Sequence, residues 1–476
     1  MTSRAHPILA ASNNPKRLRL LKTLWLGGLT LWGMAFQTGA VSGRRPSEDY
    51  YAYRSQSGDS LASVANRFGV AKNEIWDTGG LHLSDRGFLA PGLTLSIPRR
   101  LRNLTNEAHL LPDSEFIRSQ TSVKFDVDNY ILGKRGFLLH YRDEEGRSGA
   151  EIISKLARDN SVNPRLLLSL LEYTSGWVTE PAPSPQTLDY PMNFRDVYHR
   201  GLYSQMMLAV DYLERGYYGW RDAKILSLYF NGGENIRLAP DLNAGTVAVM
   251  YYFSKITGTS AEWSAALWKF LDLHSQLFGD PRLSPAEPLY SGEVYQPYLI
   301  LPFSLRQSWC FSYGPHGAWD SKGPAAALDF APPQDEYSGP LTRMILASAP
   351  GCVVRSEKNM VVLDLDCDGL EQTGWNLTFY HLAEEGRARE NSRVSQGQKI
   401  GYASCEGGLC SGIHVHMARK YNGEWMLAGG PIPFVLSGWR LAAYEPEDAA
   451  EGWRYFRGGR AVVASIDCDF ENMIYR

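Results

Sequence analysis

The stretch SGIHVHMARK, residues 411–420, places two histidines either side of one valine in a run that otherwise reads as a β-strand. Side chains two apart on a strand share a face, so His414 and His416 point one way while Val415 and Met417 point the other. Two imidazoles on one face suit metal binding or proton transfer, although an isolated H-x-H also fits two ordinary strand histidines. Other residues must decide. Ten histidines occur in the chain, and each one after His274 sits in a distinct short motif: His316 in YGPHGAWD, His381 in FYHL, and His414 and His416 in the stretch above. Asp329 adds a carboxylate in AALDFAPP, an apolar strand where an unpaired acid would be costly and a cation would satisfy it.

Catalytic zinc takes three protein ligands from His, Asp, Glu and Cys and keeps a fourth position for water. His316, Asp329 and one of the two strand histidines would supply the three. The metal would acidify the water and polarise a scissile carbonyl, leaving the remaining histidines to shuttle protons and stabilise the oxyanion. A second acidic motif, DLDCDG at 364–369, spaces Asp364, Asp366 and Asp368 as in a calcium loop. Trp375 stands where such a loop needs its bidentate acid, so an EF-hand is rejected and an acidic hairpin turn is favoured over a Ca2+ site.

The elements that must position these residues follow from the rest of the chain. Its 476 residues exceed one compact core and suggest about three domains. The net charge of -3 offers no basic field for nucleic acid. The start, PKRLRLLKTLWLGGLTLWGMAFQTGAVSG, runs from a basic patch through an apolar core at 24–36 to small residues near Ala40. It reads as a secretory signal, its apolar core shorter than the roughly 20 residues of a membrane span. Extension through Val41 gives the alternative of a retained membrane anchor. With no cysteine near the cleavage site, a lipid-anchored form is excluded. Export to the cell envelope or medium is the expectation. It agrees with six cysteines, Cys310, Cys352, Cys367, Cys405, Cys410 and Cys468, that lack paired zinc-site spacing and read as disulfides of undetermined pairing.

After a polar linker at 42–49, residues 50–99 read as a short β run (51–55), a helix started and capped by Gly58-Asp59-Ser60, a second helix over 72–78, and a closing strand at 94–98. This βααβ plan resembles the LysM module in SGDSLASVANRFGV, NEIW and PGLTLSIP. The resemblance implies binding of N-acetylglucosamine-containing glycans such as peptidoglycan, in a groove at Gly58, Asp59, Ser60, Leu61, Gly80 and Leu81. From 113 to 290 the apolar spacing turns helical, giving an all-α middle domain. SVNPRLLLSLLEYTSGW followed by NAGTVAVMYYFS looks like the core of lysozyme-like transglycosylases. Thr174 stands at the place of their catalytic glutamate and has no proton to give at neutral pH, while Glu172 lies about 200° around the helix from it. The domain therefore reads as a non-cleaving glycan-binding or spacer element, with Trp177, Tyr217, Tyr218 and Trp220 as core aromatics in preference to sugar platforms.

A proline-rich connector at 279–297 leads to alternating, turn-rich sequence at 299–440, an antiparallel sheet domain, and then to a C-terminal extension, 441–476. The whole is expected to be multidomain α+β. The sheet domain resembles the lysostaphin or LytM class of zinc endopeptidases, which cut peptide cross-links of peptidoglycan. In most of that class the first ligand histidine lies four residues before the ligand aspartate, and here Ala325 occupies that position. The staphylolysin-like branch places it upstream in a Gly-x-His segment, and GPHGAWDSKGPAAALDF sets His316 13 residues before Asp329. CEGGLCSGIHVH is similar to that branch as well. The resemblance implies zinc ligands His316, Asp329 and His416, with His381 and His414 catalytic, and Tyr380 and Leu382 as packing flanks. The expected function is an exported zinc metalloendopeptidase acting on stem peptides and targeted to glycan strands by the LysM-like module. The alternative is a non-catalytic wall-binding scaffold or activator of other hydrolases.

Overall fold

The computed structural model describes residues 49–283, 285–290, 293–319, 323–332, 343–444 and 452–476. The expected signal or anchor at 1–40 lies outside the described residues. Among the described residues, no helix is long and apolar enough to cross a membrane.

The first region opens with β1 (Tyr50–Arg54) and α1 (Leu61–Phe68). Ser60 caps α1 through a reciprocal box with Ser63, and Gly69 ends it at φ 66°. The expected second helix does not form. One 3-10 turn, Lys72–Glu74, gives way to β2 (Trp76–Asp77), which pairs with β3 (Thr94–Pro98) in a sheet ordered β1-β3-β2. Trp76 and Asp77 sit opposite Ser96 and Leu95, and the Asp77 carboxylate accepts the Leu81 N–H at 2.9 Å. The backbone groups of this segment are satisfied by sheet and turn, so nothing favours a helix there.

The middle region contains α2 (Asp113–Phe116), α3 (Val127–Lys134), α4 (Gly149–Asp159), α5 (Pro164–Ser175), α6 (Gly201–Arg221), α7 (Ala244–Ile256) and α8 (Ser260–Phe278). It is not wholly α, because a hairpin of β4 (Ser227–Tyr229) and β5 (Asn235–Arg237) follows α6. The long helices α6 and α7 pack against each other where Gly216 leaves room. A Cβ there would stand 2.9 Å from Ala248 Cα.

The third region is built on β6 (Ser308–Gly317), β7 (Ala325–Ala331), β8 (Met344–Leu346), β9 (Gly351–Glu357), β10 (Met360–Asp364), β11 (Trp375–Tyr380), β12 (Arg393–Val394), β13 (Lys399–Tyr402), β14 (Val415–Tyr421) and β15 (Glu424–Trp425). It continues through β16 (Val435–Leu436), β17 (Trp439–Tyr444), β18 (Gly452–Arg457), β19 (Arg460–Val463) and β20 (Met473–Tyr475). The main sheet is ordered β12-β9-β10-β11-β14-β7-β6-β20, with β15 on β14. The last stretch is therefore not an extension. Its strand β20 forms an edge of the main sheet, and Leu441, Tyr455, Val462 and Ile474 fill the same core as Leu328 and Phe379. Disulfides join Cys310 to Cys468, Cys352 to Cys367 and Cys405 to Cys410.

Alternation on β14 divides its two faces as the sequence pattern requires. Val415 and Met417 enter the sheet-domain core with Leu377, Phe379, Leu328 and Phe330. His416, Ala418 and Lys420 face the other way, and Ala418 joins the core of the helical region. That region thus covers the lower part of the face that carries the histidines. Buried ion pairs tie the contact: Arg355 on β9 reaches Asp159 at the end of α4 (2.6 Å) and Glu371 (2.9 Å), which also receives Lys420 (2.7 Å). Burial would raise the Glu371 carboxyl, but Arg355 and Lys420 hold it down at about 2. A second buried hub is Arg221, at the end of α6. It pairs with Asp113 (2.9 Å) and Glu424 of β15 (3.0 Å) and donates to the Ser57 carbonyl of the first region.

Candidate metal centre

Three neighbouring strands bring the predicted ligands together. Asp329 on β7 lies directly opposite His416 on β14, so register alone puts carboxylate and imidazole side by side on one face. His316 pairs with Ala327, two residues from Asp329 on the same face of β7, through a register shift at each side of the histidine. β6 carries an extra residue before His316 and β7 one after it, irregularities of the kind that re-aim a side chain. Ala325 pairs with Gly317, one step beyond. The neighbouring strand thus supplies a histidine where Ala325 offers none.

His316 Nε2 lies 2.9 Å from Asp329 Oδ1, and His416 Nδ1 lies 3.4 Å from the same oxygen. One donor atom from each of the three residues falls within 4.8 Å of the others. His416 Nε2 is 2.9 Å from the Ala318 carbonyl. A carbonyl only accepts, so Nε2 carries a proton, and Nδ1, which faces Asp329, offers a ligand lone pair once its own proton is released. Burial would raise the Asp329 carboxyl, but hydrogen bonds from His316 and His416, then their charge, hold it well below the usual carboxylate range. Two imidazole nitrogens and an ionised carboxylate, with an outer carbonyl fixing one ring, fit zinc in number and type.

The two other histidines stand beside this cluster. His414 precedes β14 and places Nε2 3.6 Å from Asp329 Oδ2, while its Nδ1 meets the Gly412 carbonyl at 2.7 Å. His381 follows β11 in the left-handed region (φ 60°), and its ring centroid lies 4.4 Å from that of His414. Its Nδ1 meets the Glu406 carbonyl at 3.1 Å. Burial, and secondarily the His414 charge, lowers His381 to about 4. It is therefore a neutral base at physiological pH. Tyr380 and Leu382 flank it; Leu382 is core, whereas Tyr380 packs on Trp319 (4.9 Å between centroids). Lys155 Nζ from α4 lies 5.0 Å from the centroid of the Trp319 ring.

The remaining candidates separate differently. Gly58, Asp59, Ser60 and Leu61 are buried, and a Cβ on Gly58 would stand 2.4 Å from Arg221 Nη1. Asp59 is no cap: it pairs with Arg67 and accepts from Tyr53 Oη (2.5 Å) and the Gln56 N–H (2.8 Å). The helical region closes off this turn, so of the expected groove only the Gly80 and Leu81 side is open to a glycan. Trp177, Tyr217, Tyr218 and Trp220 are all core residues, as expected. Thr174 bonds back to the Leu170 carbonyl, and Glu172 accepts the Val178 and Thr179 N–H groups, tying down the turn after α5. Asp364, Asp366 and Asp368 do cluster. Asp364, however, accepts the Asp366 and Gly369 N–H groups, and Asp368 accepts that of Leu370, the pattern of an acidic turn. Sequence reasoning missed Ala318 and Glu406 because both act through backbone carbonyls, which no side-chain motif marks.

Residues 109–290 match the family model described as LasA, N-terminal domain, which spans the helical region. The chain is 24% identical over 392 residues to protease LasA of Pseudomonas aeruginosa, covering 78% of this chain and 87% of that protein. Protease LasA of a second strain of that organism is 24% identical over 339 residues, covering 67% of this chain and 75% of the relative. Among solved structures, the metalloprotease pseudoalterin from the deep sea is similar at 22% identity and a TM-score of 0.29, over 38% of this chain and 99% of that one.

Proposed function

We propose that this chain is an exported zinc endopeptidase that hydrolyses peptide cross-links of peptidoglycan. The observation that carries the reading is the convergence of His316, Asp329 and His416 on one point, with His381 and His414 beside it. Similarity to protease LasA over most of the chain supports a peptidase, and the lysostaphin-like motifs support a cell-wall peptide as substrate.

When bound by His316, Asp329 and His416, zinc supplies Lewis acidity towards the scissile carbonyl and acidifies water. The protein does the rest. Asp329 stays ionised and the His416 ring is oriented by the Ala318 carbonyl, so both side chains are in place before a metal arrives. His381 and His414 each place a proton on Nδ1, so in the neutral ring Nε2 is free, and His414 Nε2 lies 3.6 Å from Asp329 Oδ2. From there they take a proton from attacking water and return one to the leaving amine, as the amide C–N bond breaks and a carboxylate forms. Their imidazolium forms also donate to the developing oxyanion. Incubation of the purified chain with peptidoglycan tests the reading: new amino termini among the released muropeptides are expected, without new reducing or anhydro sugar ends. His316→Ala and His416→Ala should abolish both release and zinc binding. Full activity in either variant would reject the ligand assignment.

A further inference from the structure

The carbonyls that hold the two histidines outside the ligand set come from a single small loop and its exit. His381 Nδ1 meets the Glu406 carbonyl at 3.1 Å, and His414 Nδ1 meets the Gly412 carbonyl at 2.7 Å. Glu406 lies inside the loop closed by the Cys405–Cys410 disulfide, and Gly412 is the second residue after it. A carbonyl oxygen cannot donate, so each contact requires a histidine proton on Nδ1, and in the neutral ring Nε2 is then the free base.

The loop is fixed from several sides. The Glu406 N–H donates to Ser404 Oγ (3.1 Å), and its carboxylate accepts from Asn359 Nδ2 (2.8 Å) and the Glu384 N–H (3.0 Å). Gly407 and Gly408 both take positive φ, 77° and 55°, and a Cβ on either would stand 3.0 Å from Tyr380 Oη. The glycines thus let the loop lie against the residue that precedes His381. Ser404, just before the loop, donates both its N–H (2.8 Å) and its Oγ (3.0 Å) to the His381 carbonyl, holding that residue in its left-handed conformation. The metal-ligand residues do not depend on this loop. Asp329 and His416 are set by strand register, and His416 is oriented by Ala318.

We propose that the Cys405–Cys410 loop is a tautomer clamp: the disulfide holds the Glu406 and Gly412 carbonyls so that His381 and His414 share the Nδ1–H form with Nε2 free for proton transfer. Glu406 is then a positioning residue that acts through its carbonyl, with its carboxylate as the anchor. This rests on the peptidase reading for its kinetic consequence, but its structural consequence can be measured without turnover.

The test uses the full chain with Cys405→Ser and Cys410→Ser together, the other two disulfides being verified by peptide mapping. Losing an outer-shell partner commonly costs about 10–100-fold, so kcat on cross-linked muropeptides is expected to fall by about that factor while KM stays within about threefold. The zinc Kd should stay within about threefold of the unaltered chain, because the loop supplies no ligand. Imidazole nitrogen NMR should show His381 and His414 as Nδ1–H in the unaltered chain and a mixture of both tautomers in the variant. Glu406→Ala, which keeps every cysteine, should give a fall in the same direction, and Glu406→Gln, which keeps the acceptor for Asn359 and Glu384, should restore the rate. Unchanged tautomers, a kcat within about twofold of the parent, or loss of zinc in parallel with rate would each overturn the clamp. If the unaltered chain cleaves no wall peptide, the peptidase reading fails, and the NMR comparison still decides the clamp.

Discussion

Arg221 joins the first, helical and sheet regions through Ser57, Asp113 and Glu424, so its loss should be felt in the stability of the chain. Its side chain is only 9% exposed, and it faces Asp113 at 2.9 Å and Glu424 at 3.0 Å, so Arg221→Met would leave two buried carboxylates without their cation. Removing one partner of a buried pair costs about 3–5 kcal/mol. The remaining donors temper that figure. Asp113 keeps Asn243 Nδ2 and the Gly245 N–H, both at 2.7 Å, and Glu424 keeps Tyr217 Oη at 3.1 Å. The expected loss is therefore at the lower end, about 3 kcal/mol near pH 8. Burial already raises Glu424 and Arg221 opposes it, so the substitution raises Glu424 further. A carboxyl whose folded pKa exceeds its unfolded value of about 4.3 takes up a proton in the folded state first, so its penalty is complete above the folded pKa and relieved as pH falls towards the unfolded one. Urea unfolding followed by tryptophan fluorescence should show the deficit of Arg221→Met narrowing from pH 8 to pH 5. A deficit below about 1 kcal/mol at pH 8, the size of an exposed pair, would refute the reasoning, as would an equal deficit at both pH values.

Other consequences can be measured on the same footing. His274 is buried, and its ring Nδ1 lies 2.7 Å from Ser169 Oγ; burial, with Arg165 adding to it, lowers it to about 4. The unfolded chain binds that proton from about pH 6.5 downward while the folded chain does not, so stability should drop by on the order of 3 kcal/mol between pH 6.5 and pH 4. His274→Met should flatten that slope in pH-dependent unfolding. Trp220 is core, with Nε1 bonded to the Leu242 carbonyl at 2.8 Å, so Trp220→Ala should cost about 3–5 kcal/mol and leave the affinity of the folded fraction for peptidoglycan unchanged. Weaker binding by a variant shown to be folded would restore a sugar-stacking role.

The histidine and aspartate cluster was legible in part because two of its members have fixed strand spacing. Alternation placed His414 and His416 on one face, and the costly acid at Asp329 pointed to a cation, which the pairing of Asp329 with His416 now explains. His316 was found through its Gly-x-His segment, but the β-bulges that aim it are backbone events without a residue signature. The helix at α1 followed from its cap, although the cap is Ser60 alone and Asp59 was drawn into an ion pair with Arg67 that closes eight residues away. Tertiary pairing overrode the local helical spacing at 72–78, where Trp76 and Asp77 joined β3. Contacts between regions were not legible at all. Nothing local to the Gly58–Leu61 turn says that Arg221, far along the chain, will cover it.

Zinc affinity measured by competition with a chelator, on the full chain and on His316→Ala, tests the central claim most directly. With His316 as a ligand in place of Ala325, one tightly bound zinc per chain is expected, and a loss of affinity of at least about 100-fold in the variant. Equal zinc affinity in His316→Ala and the unaltered chain would contradict it.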